Sequence, residues 1–300
     1  MNPRRLLPVL LFLPVLAGGG LLSACSGQAQ EGENPRQAWA QWQVKRLAAF
    51  QHNPGWLNYT ASGRLPPGDY LLGGELAEAA DIRLPVAEGA LGRLLLDGEQ
   101  ARFEPLQGGV QVPIEPAFFQ IHPGTRMAVG DGQLHLVRTG PLWGWRFQQP
   151  GAAMQHPFKG FPLYPYNDAW RLRAHWERYE QPEQVTVLTN IGTPLQLPMA
   201  GRVHFDIGPA SYSLPAYVVP EQDRLMVLFT DRSNGRDTPP AGRMLLAPLP
   251  PPEQRWVELD FNRAEAMACA VTAHVVCPLP PAAARLPVVV DAGEKAWVAD

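Results

Sequence analysis

The stretch Trp170-Arg171-Leu172-Arg173-Ala174-His175-Trp176 places an apolar side chain at every second position and a cation or histidine between. A period of two is the pattern of a strand with one buried and one solvated face. Arg202-Val203-His204-Phe205-Asp206-Ile207 repeats it, so both stretches are expected as half-buried strands. Residues 225–229 form an unbroken apolar run and 286–290 nearly so, as in central strands covered on both faces. Residues 248–252 end in three consecutive prolines and predict a stiff connector between two strands.

Upstream, residues 53–149 read as short apolar pieces cut by turn residues. The pieces are Tyr70-Leu71-Leu72, Ile82-Arg83-Leu84-Pro85-Val86, Leu94-Leu95-Leu96, Ala101-Arg102-Phe103, Val110-Gln111-Val112, Met127-Ala128-Val129 and Leu134-His135-Leu136-Val137. Asp97-Gly98, Gly108-Gly109 and Asp131-Gly132 separate them, and a spacing of roughly 8–12 residues predicts antiparallel strands in a sandwich. The order of pieces resembles, faintly, a forkhead-associated domain, whose loops bind phosphothreonine. Gly73-Gly74 stand at that family's arginine position and the next loop lacks a serine and histidine pair, so phosphopeptide binding is not implied. Before this half, Asn34 is a good cap, Pro35 suits a first helical position, and 37–51 contains neither proline nor glycine. A helix of about four turns is expected there, with Trp39, Trp42 and Leu47 as its buried contacts. The strand pattern lapses around 150–157, which divides the chain into a helix plus first β half, 34–150, and a second antiparallel β half, 151–300. The expected fold is mainly β.

Composition agrees with a folded protein: 46% of side chains are hydrophobic and 18% charged. Proline, at 33 of 300 residues, is about twice its usual share of roughly 5%, which leaves few windows for long helices. The net charge is -3, and a nucleic-acid partner would ask for the opposite sign.

The amino terminus carries Arg4 and Arg5, an apolar stretch over 6–22, then small residues, the three parts of an export signal. A membrane-spanning helix needs about 20 apolar residues, whereas this stretch is interrupted by Pro8, Pro14 and Gly18-Gly19-Gly20. Leu22-Ser23-Ala24-Cys25 resembles the lipobox of bacterial lipoproteins, in which the cysteine is acylated and becomes the first residue. The resemblance implies a signal peptide over 1–24, lipid of the palmitate kind on Cys25, and a polar tether over 25–33. Acyl chains anchor firmly because each buried methylene contributes roughly 0.8 kcal/mol. Ser26 stands where an aspartate would resemble an inner-membrane retention signal, so the favoured address is the outer membrane, facing the periplasm.

Cys269 and Cys277 then remain in an oxidising compartment, and a disulfide is the leading reading. A metal site would need more ligands than these two and His274, so no metal is expected. The loops G-x-G-x-x-G and G-x-x-x-x-G-K-[ST] and the element G-x-S-x-G are missing, so no cofactor is expected.

The C-terminal stretch carries a further resemblance. Leu259-Asp260-Phe261-Asn262-Arg263-Ala264, Cys269, Cys277-Pro278-Leu279-Pro280-Pro281, Arg285-Leu286 and Ala292-Gly293-Glu294-Lys295 resemble the end of the domain of unknown function 1684 family. Gly55-Trp56-Leu57, Phe158-Lys159-Gly160, Phe229-Thr230-Asp231 and Gly242-Arg243 occur in that family's order, so the resemblance runs over roughly 34–295. The chain departs from it at Glu265-Ala266-Met267-Ala268, where the family reads roughly Tyr-Asn-Pro-Pro. Ala284 replaces an asparagine and Pro239 a tyrosine. The family's activity is not established, so the resemblance implies a fold and no chemistry.

Read physically, 256–262 is expected as a strand with Val257, Leu259 and Phe261 on one face and Glu258, Asp260 and Asn262 on the other. Carboxylates two apart on a strand face stand roughly 7 Å apart, compatible with acid and base work on a sugar; a solvated face has the same pattern. The preferred reading is a buried polar network in which Asp231, Asn262, Arg263, Arg285, Glu294 and Lys295 hold the C-terminal strands with Asp260, because buried charges persist mainly when paired. Two functions remain open besides a purely structural one. One is an anchored lipoprotein that binds a small ligand or an envelope protein. The other is a hydrolase or lyase using Asp260 and Glu258, with Arg263 or Lys295 orienting an anionic group.

Overall fold

The computed structural model describes residues 34–52, 55–86, 88–98, 100–106, the backbone of 112–114, 124–139, 142–219 and 222–298. The expected leader over 1–24, Cys25 and the expected tether lie outside the described residues, as do 110–111. The helix α1 spans Pro35–Gln51, with proline at its first position as expected. The first β half contains β1 (Tyr59–Leu65), β2 (Gly68–Gly73), β3 (Ile82–Arg83), β4 (Ala90–Asp97), β5 (Gln100–Pro105), β6 (Val112–Ile114), β7 (Arg126–Val129), β8 (Gly132–Thr139) and β9 (Leu142–Gln148). The second contains β10 (Arg171–Leu188), β11 (Pro194–Ile207), β12 (Ala210–Val219), β13 (Arg224–Phe229), β14 (Arg243–Pro248), β15 (Trp256–Asp260) and β16 (Glu265–Ala266).

In the first half a sheet ordered β1-β9-β8-β7 faces one ordered β3-β2-β4-β5-β6. They share one core, to which Leu65, Leu134, Leu136, Trp143 and Phe147 come from the first sheet and Leu72, Ile82, Leu94 and Leu96 from the second. Strands pair antiparallel except β2 with β3. The expected piece 82–86 narrows to Ile82–Arg83, since beyond it the Val86 amide turns back to the Leu84 carbonyl.

On the face of β8 away from this core stands His135, 3% exposed, with its Nε2 lacking a hydrogen-bond partner among the described residues. Burial, with Arg126 and Arg146 beside it, lowers its pKa to about 4. A histidine so depressed is neutral when folded and binds a proton readily only when unfolded, so its contribution to stability is present above the unfolded value of about 6.5. That contribution is lost as pH falls towards 4, by about 3 kcal/mol. Urea unfolding at pH 7 and pH 4.5 should show His135→Gln losing much less stability than the parent over that interval; equal losses would assign the acid sensitivity elsewhere.

The second half is one antiparallel sheet, ordered β15-β10-β11-β12-β13-β14-β16. Ala174 and Trp176 of β10, Val203 and Phe205 of β11, Leu225, Val227 and Phe229 of β13, and Leu259 of β15 fill one face. Val187, Leu197, Tyr217, Met226, Leu228 and Met244 fill the other, where Phe50 of α1, Phe158 and Val275 cover them. The run 225–229 is thus a central strand covered on both sides, as expected, and 248–252 links β14 to β15.

Two expectations are corrected. Residues 286–290 do not form a strand: Leu286 and Val290 are buried in the core, but Pro287 lacks an amide hydrogen and the Val290 carbonyl is taken by the guanidinium of Arg243. On α1, Phe50 is fully buried while Trp39, Trp42 and Leu47 are half-buried.

Candidate functional site

The Ala292-Gly293-Glu294-Lys295 turn is the centre from which the charged groups are arranged. Gly293 has φ +79°, and a Cβ there would lie 2.6 Å from the Ala264 carbonyl and 2.8 Å from its Cβ, so only glycine fits. The close approach lets the Glu294 amide bond to the Ala264 carbonyl at 2.9 Å. The Glu294 carboxylate, 2% exposed, accepts from the Ala266 amide at 2.6 Å and from Arg46 Nε at 2.9 Å and Nη2 at 3.1 Å. Arg46 also meets Glu265 at 3.3 Å and donates to the Ala266 carbonyl. Trp42 donates to Glu265 at 3.1 Å and Trp39 to the Asn262 carbonyl at 3.0 Å. One side of α1 therefore docks on the Asp260 to Ala266 segment through polar contacts. Burial disfavours the Arg46 charge, yet Glu265 and Glu294 outweigh it and raise the pKa. For Glu294 burial prevails over Arg46 and the pKa rises. A cavity of about 150 Å³ opens beside the pair, lined in part by Trp42, Leu47, Lys159 and Phe161.

A second cluster lies under the same turn. Arg243 and Asp231, both side chains wholly buried, pair at 2.7 Å. Arg243 donates further to the carbonyls of Val290 at 2.9 Å, Ala292, and Glu294 at 3.4 Å, and lies over the Phe229 ring at 5.2 Å. Asp231 in turn accepts from the Ser233 amide at 2.6 Å. Burial lowers the Arg243 pKa, with Asp231 opposing it.

The third cluster corrects the strand expected over 256–262. β15 ends at Asp260, whose side chain accepts from the Asn262 amide at 3.1 Å and caps a 3-10 turn over Phe261–Arg263. Short polar side chains that bond to nearby backbone compete with strand pairing in this way. Asp260 also accepts from Asn262 Nδ2 at 2.9 Å and pairs with Arg263 at 3.2 Å. Asn262 bonds to both backbone groups of Asn167 at 2.9 Å. Burial raises the Asp260 pKa, while Asn262 and Arg263 oppose it. Glu258 sits apart, exposed and paired with Arg171 at 2.6 Å.

The residues expected in one network thus divide. Glu294 joins Arg46 and Glu265, Asp231 joins Arg243, and Asn262 and Arg263 join Asp260. Lys295 lies over the Tyr164 ring at 4.9 Å, and Arg285 is exposed. Arg46 and Arg243, the two cations at the centre, were not among the expected site residues. A signal for Arg46 exists in the sequence: it lies between Trp42 and Phe50 at intervals of four, on one helix face. Cys269 and Cys277 stand at disulfide distance, 2.36 Å between sulfurs and 6.1 Å between Cα atoms.

Residues 156–295 match the family model described as "Protein of unknown function (DUF1684)". The DUF1684 match covers a narrower span than the roughly 34–295 over which the sequence pieces run. It contains Asp231, Arg243, Asp260, Asn262, Glu265 and Glu294, and leaves Arg46 of α1 outside. The chain is also similar to the solution NMR structure of an uncharacterized protein of Haloarcula marismortui, at 26% identity over 49% of this chain and 80% of that one, with a TM-score of 0.40. No curated protein matches.

Proposed function

We propose that this chain is a lipid-anchored envelope lipoprotein that binds a small ligand or an envelope protein and does not transform it. The anchor rests on Leu22-Ser23-Ala24-Cys25, with palmitate-type lipid on Cys25 and the outer membrane, facing the periplasm, as its address. A covalent Cys269–Cys277 disulfide fits that compartment. The observation that carries the non-catalytic reading is the engagement of the candidate Asp260 and of the buried acids around it; Glu258, the other candidate, is exposed and paired with Arg171. Asp260 is engaged by Asn262 and Arg263, Glu294 by Arg46 and a backbone amide, and Asp231 by Arg243. A general base needs an oxygen free to take a substrate proton.

Fractionation of an expressing bacterium tests the anchor: the parent should sediment with membranes and take up labelled palmitate, and Cys25→Ser should do neither. Equal partition of the two would sink the lipoprotein reading. Asp260→Asn addresses the alternative hydrolase or lyase. The binding reading expects a loss of stability of about 1–3 kcal/mol, as for a disrupted buried polar group; turnover of an envelope substrate abolished in a variant of unchanged stability would favour the enzyme.

A further inference from the structure

We propose that the cleft between β1, β9 and the 271–277 segment binds a compact oxyanion, a carboxylate or phosphate group carried by a small ligand. This deepens the ligand-binding reading and rests on it; the lipid anchor plays no part.

The register of the first sheet puts Ser62, Arg146, His135 and Arg126 side by side across β1, β9, β8 and β7. Their strand neighbours Leu65, Phe147, Leu134 and Leu136 point into the sandwich core, so the row occupies the opposite face. Arg64 lies two positions from Ser62 on that face. Over the row lies His274, inside the loop between Cys269 and Cys277, its Nδ1 3.0 Å from Ser62 Oγ. Ser62, Arg64, Thr139, Arg146, Ile191 and His274 line much of a cleft of about 210 Å³. A water claims about 30 Å³ of the liquid, so the space suits an anionic group with part of its carrier.

The row is electrostatically incomplete. Like charges on neighbouring strands repel, and among the described residues none of Arg64, Arg126 and Arg146 has a carboxylate partner. Arg126 reaches Gln133 at 3.5 Å, and Arg146 lies 6.0 Å from the Tyr59 ring centre with the neutral Tyr59 hydroxyl as its polar neighbour. The contrast is internal to the molecule and centres on Arg146: Arg46 and Arg243 each have a carboxylate within 3 Å, half-buried Arg146 has none, and Arg64 and Arg126 are exposed to solvent. Burial lowers the Arg146 pKa, and burial together with Arg146 lowers that of His274. An oxyanion in the cleft would supply the missing charge. The Arg146 fork can donate two parallel bonds to it, and the Ser62–His274 pair one more, from the Ser62 hydroxyl or from His274 Nε2 according to the histidine tautomer.

Calorimetry tests this on the full chain in nonionic detergent, in chloride buffer of constant ionic strength, with inorganic phosphate and acetate as separate probes. Saturable binding of one of them is expected, and which one binds identifies the group. Arg146→Gln should weaken it roughly tenfold or more, as loss of a charge-assisted pair does. Ser62→Ala, a small change at an exposed position, should weaken it several-fold and covers the case in which the arginine variant does not fold. No saturable binding of either probe, or equal affinity in parent and Ser62→Ala, overturns the proposal. Native mass spectrometry separates the two levels: an uncharged molecule carried through purification would remove the oxyanion site and leave ligand binding standing.

Discussion

Asp231→Ala lowers the stability of the fold by about 3–5 kcal/mol, the usual cost of breaking a buried ion pair by removing one partner. The variant leaves the Arg243 guanidinium wholly enclosed, with carbonyl oxygens and the Phe229 ring for neighbours and no carboxylate in contact, Glu294 acting on it only at longer range. The effect also spreads locally, because Asp231 Oδ1 holds the Ser233 amide, and Ser233 in turn bonds to Thr238 at 2.8 Å. Urea unfolding followed by tryptophan fluorescence reads the change. Adding Arg243→Met should recover part of it, since an apolar pair of similar volume removes the stranded charge. A single variant within 1 kcal/mol of the parent, or a double variant no better than the single one, would show that the pair is not what holds the 290–294 segment to β14.

Glu294→Ala is expected to cost about 3 kcal/mol by the same mechanism, and to do so at a different place. It frees the Ala266 amide and both Arg46 contacts, leaving Arg46 with Glu265 at 3.3 Å and the Ala266 carbonyl. The loss should appear first as loosening of α1. Amide hydrogen exchange over 35–51 should accelerate well before that of β10 to β13, because local opening releases the helix without the central sheet. Uniform acceleration across the whole chain would mean that the helix is not a separable element. Glu294→Gln, which keeps one acceptor oxygen, turns the other into an amide donor and loses the charge, should fall between the parent and Glu294→Ala.

Both predictions concern pairs that no window of sequence displays. Arg46 and Glu294 are 248 positions apart, and Asp231 and Arg243 are joined because β13 and β14 pair with Phe229 opposite Arg243. The individual acids were visible as candidates. Their partners were not, since a lone arginine in a helix or at a strand start reads as a solvated side chain until the fold encloses it. Asp260 illustrates a local competition: the alternation through Asn262 reads as strand, but the aspartate bonds to the amide two residues on and ends it.

The alternation at 170–176 and 202–207, the apolar run at 225–229 and the cap before α1 sufficed for the mainly β architecture and the helix, because side-chain period and capping depend on neighbours within a few residues. The alternation of Trp143, Trp145 and Phe147 that makes β9 was equally readable, although the expected pieces stopped at Val137. Local pattern could not separate 286–290 from a strand, nor divide the C-terminal charges into three clusters, nor align Ser62, Arg146, His135 and Arg126 in one row. Those outcomes depend on which backbone groups and charges meet once distant strands pair and exclude water, and burial then sets whether each charge must find a partner.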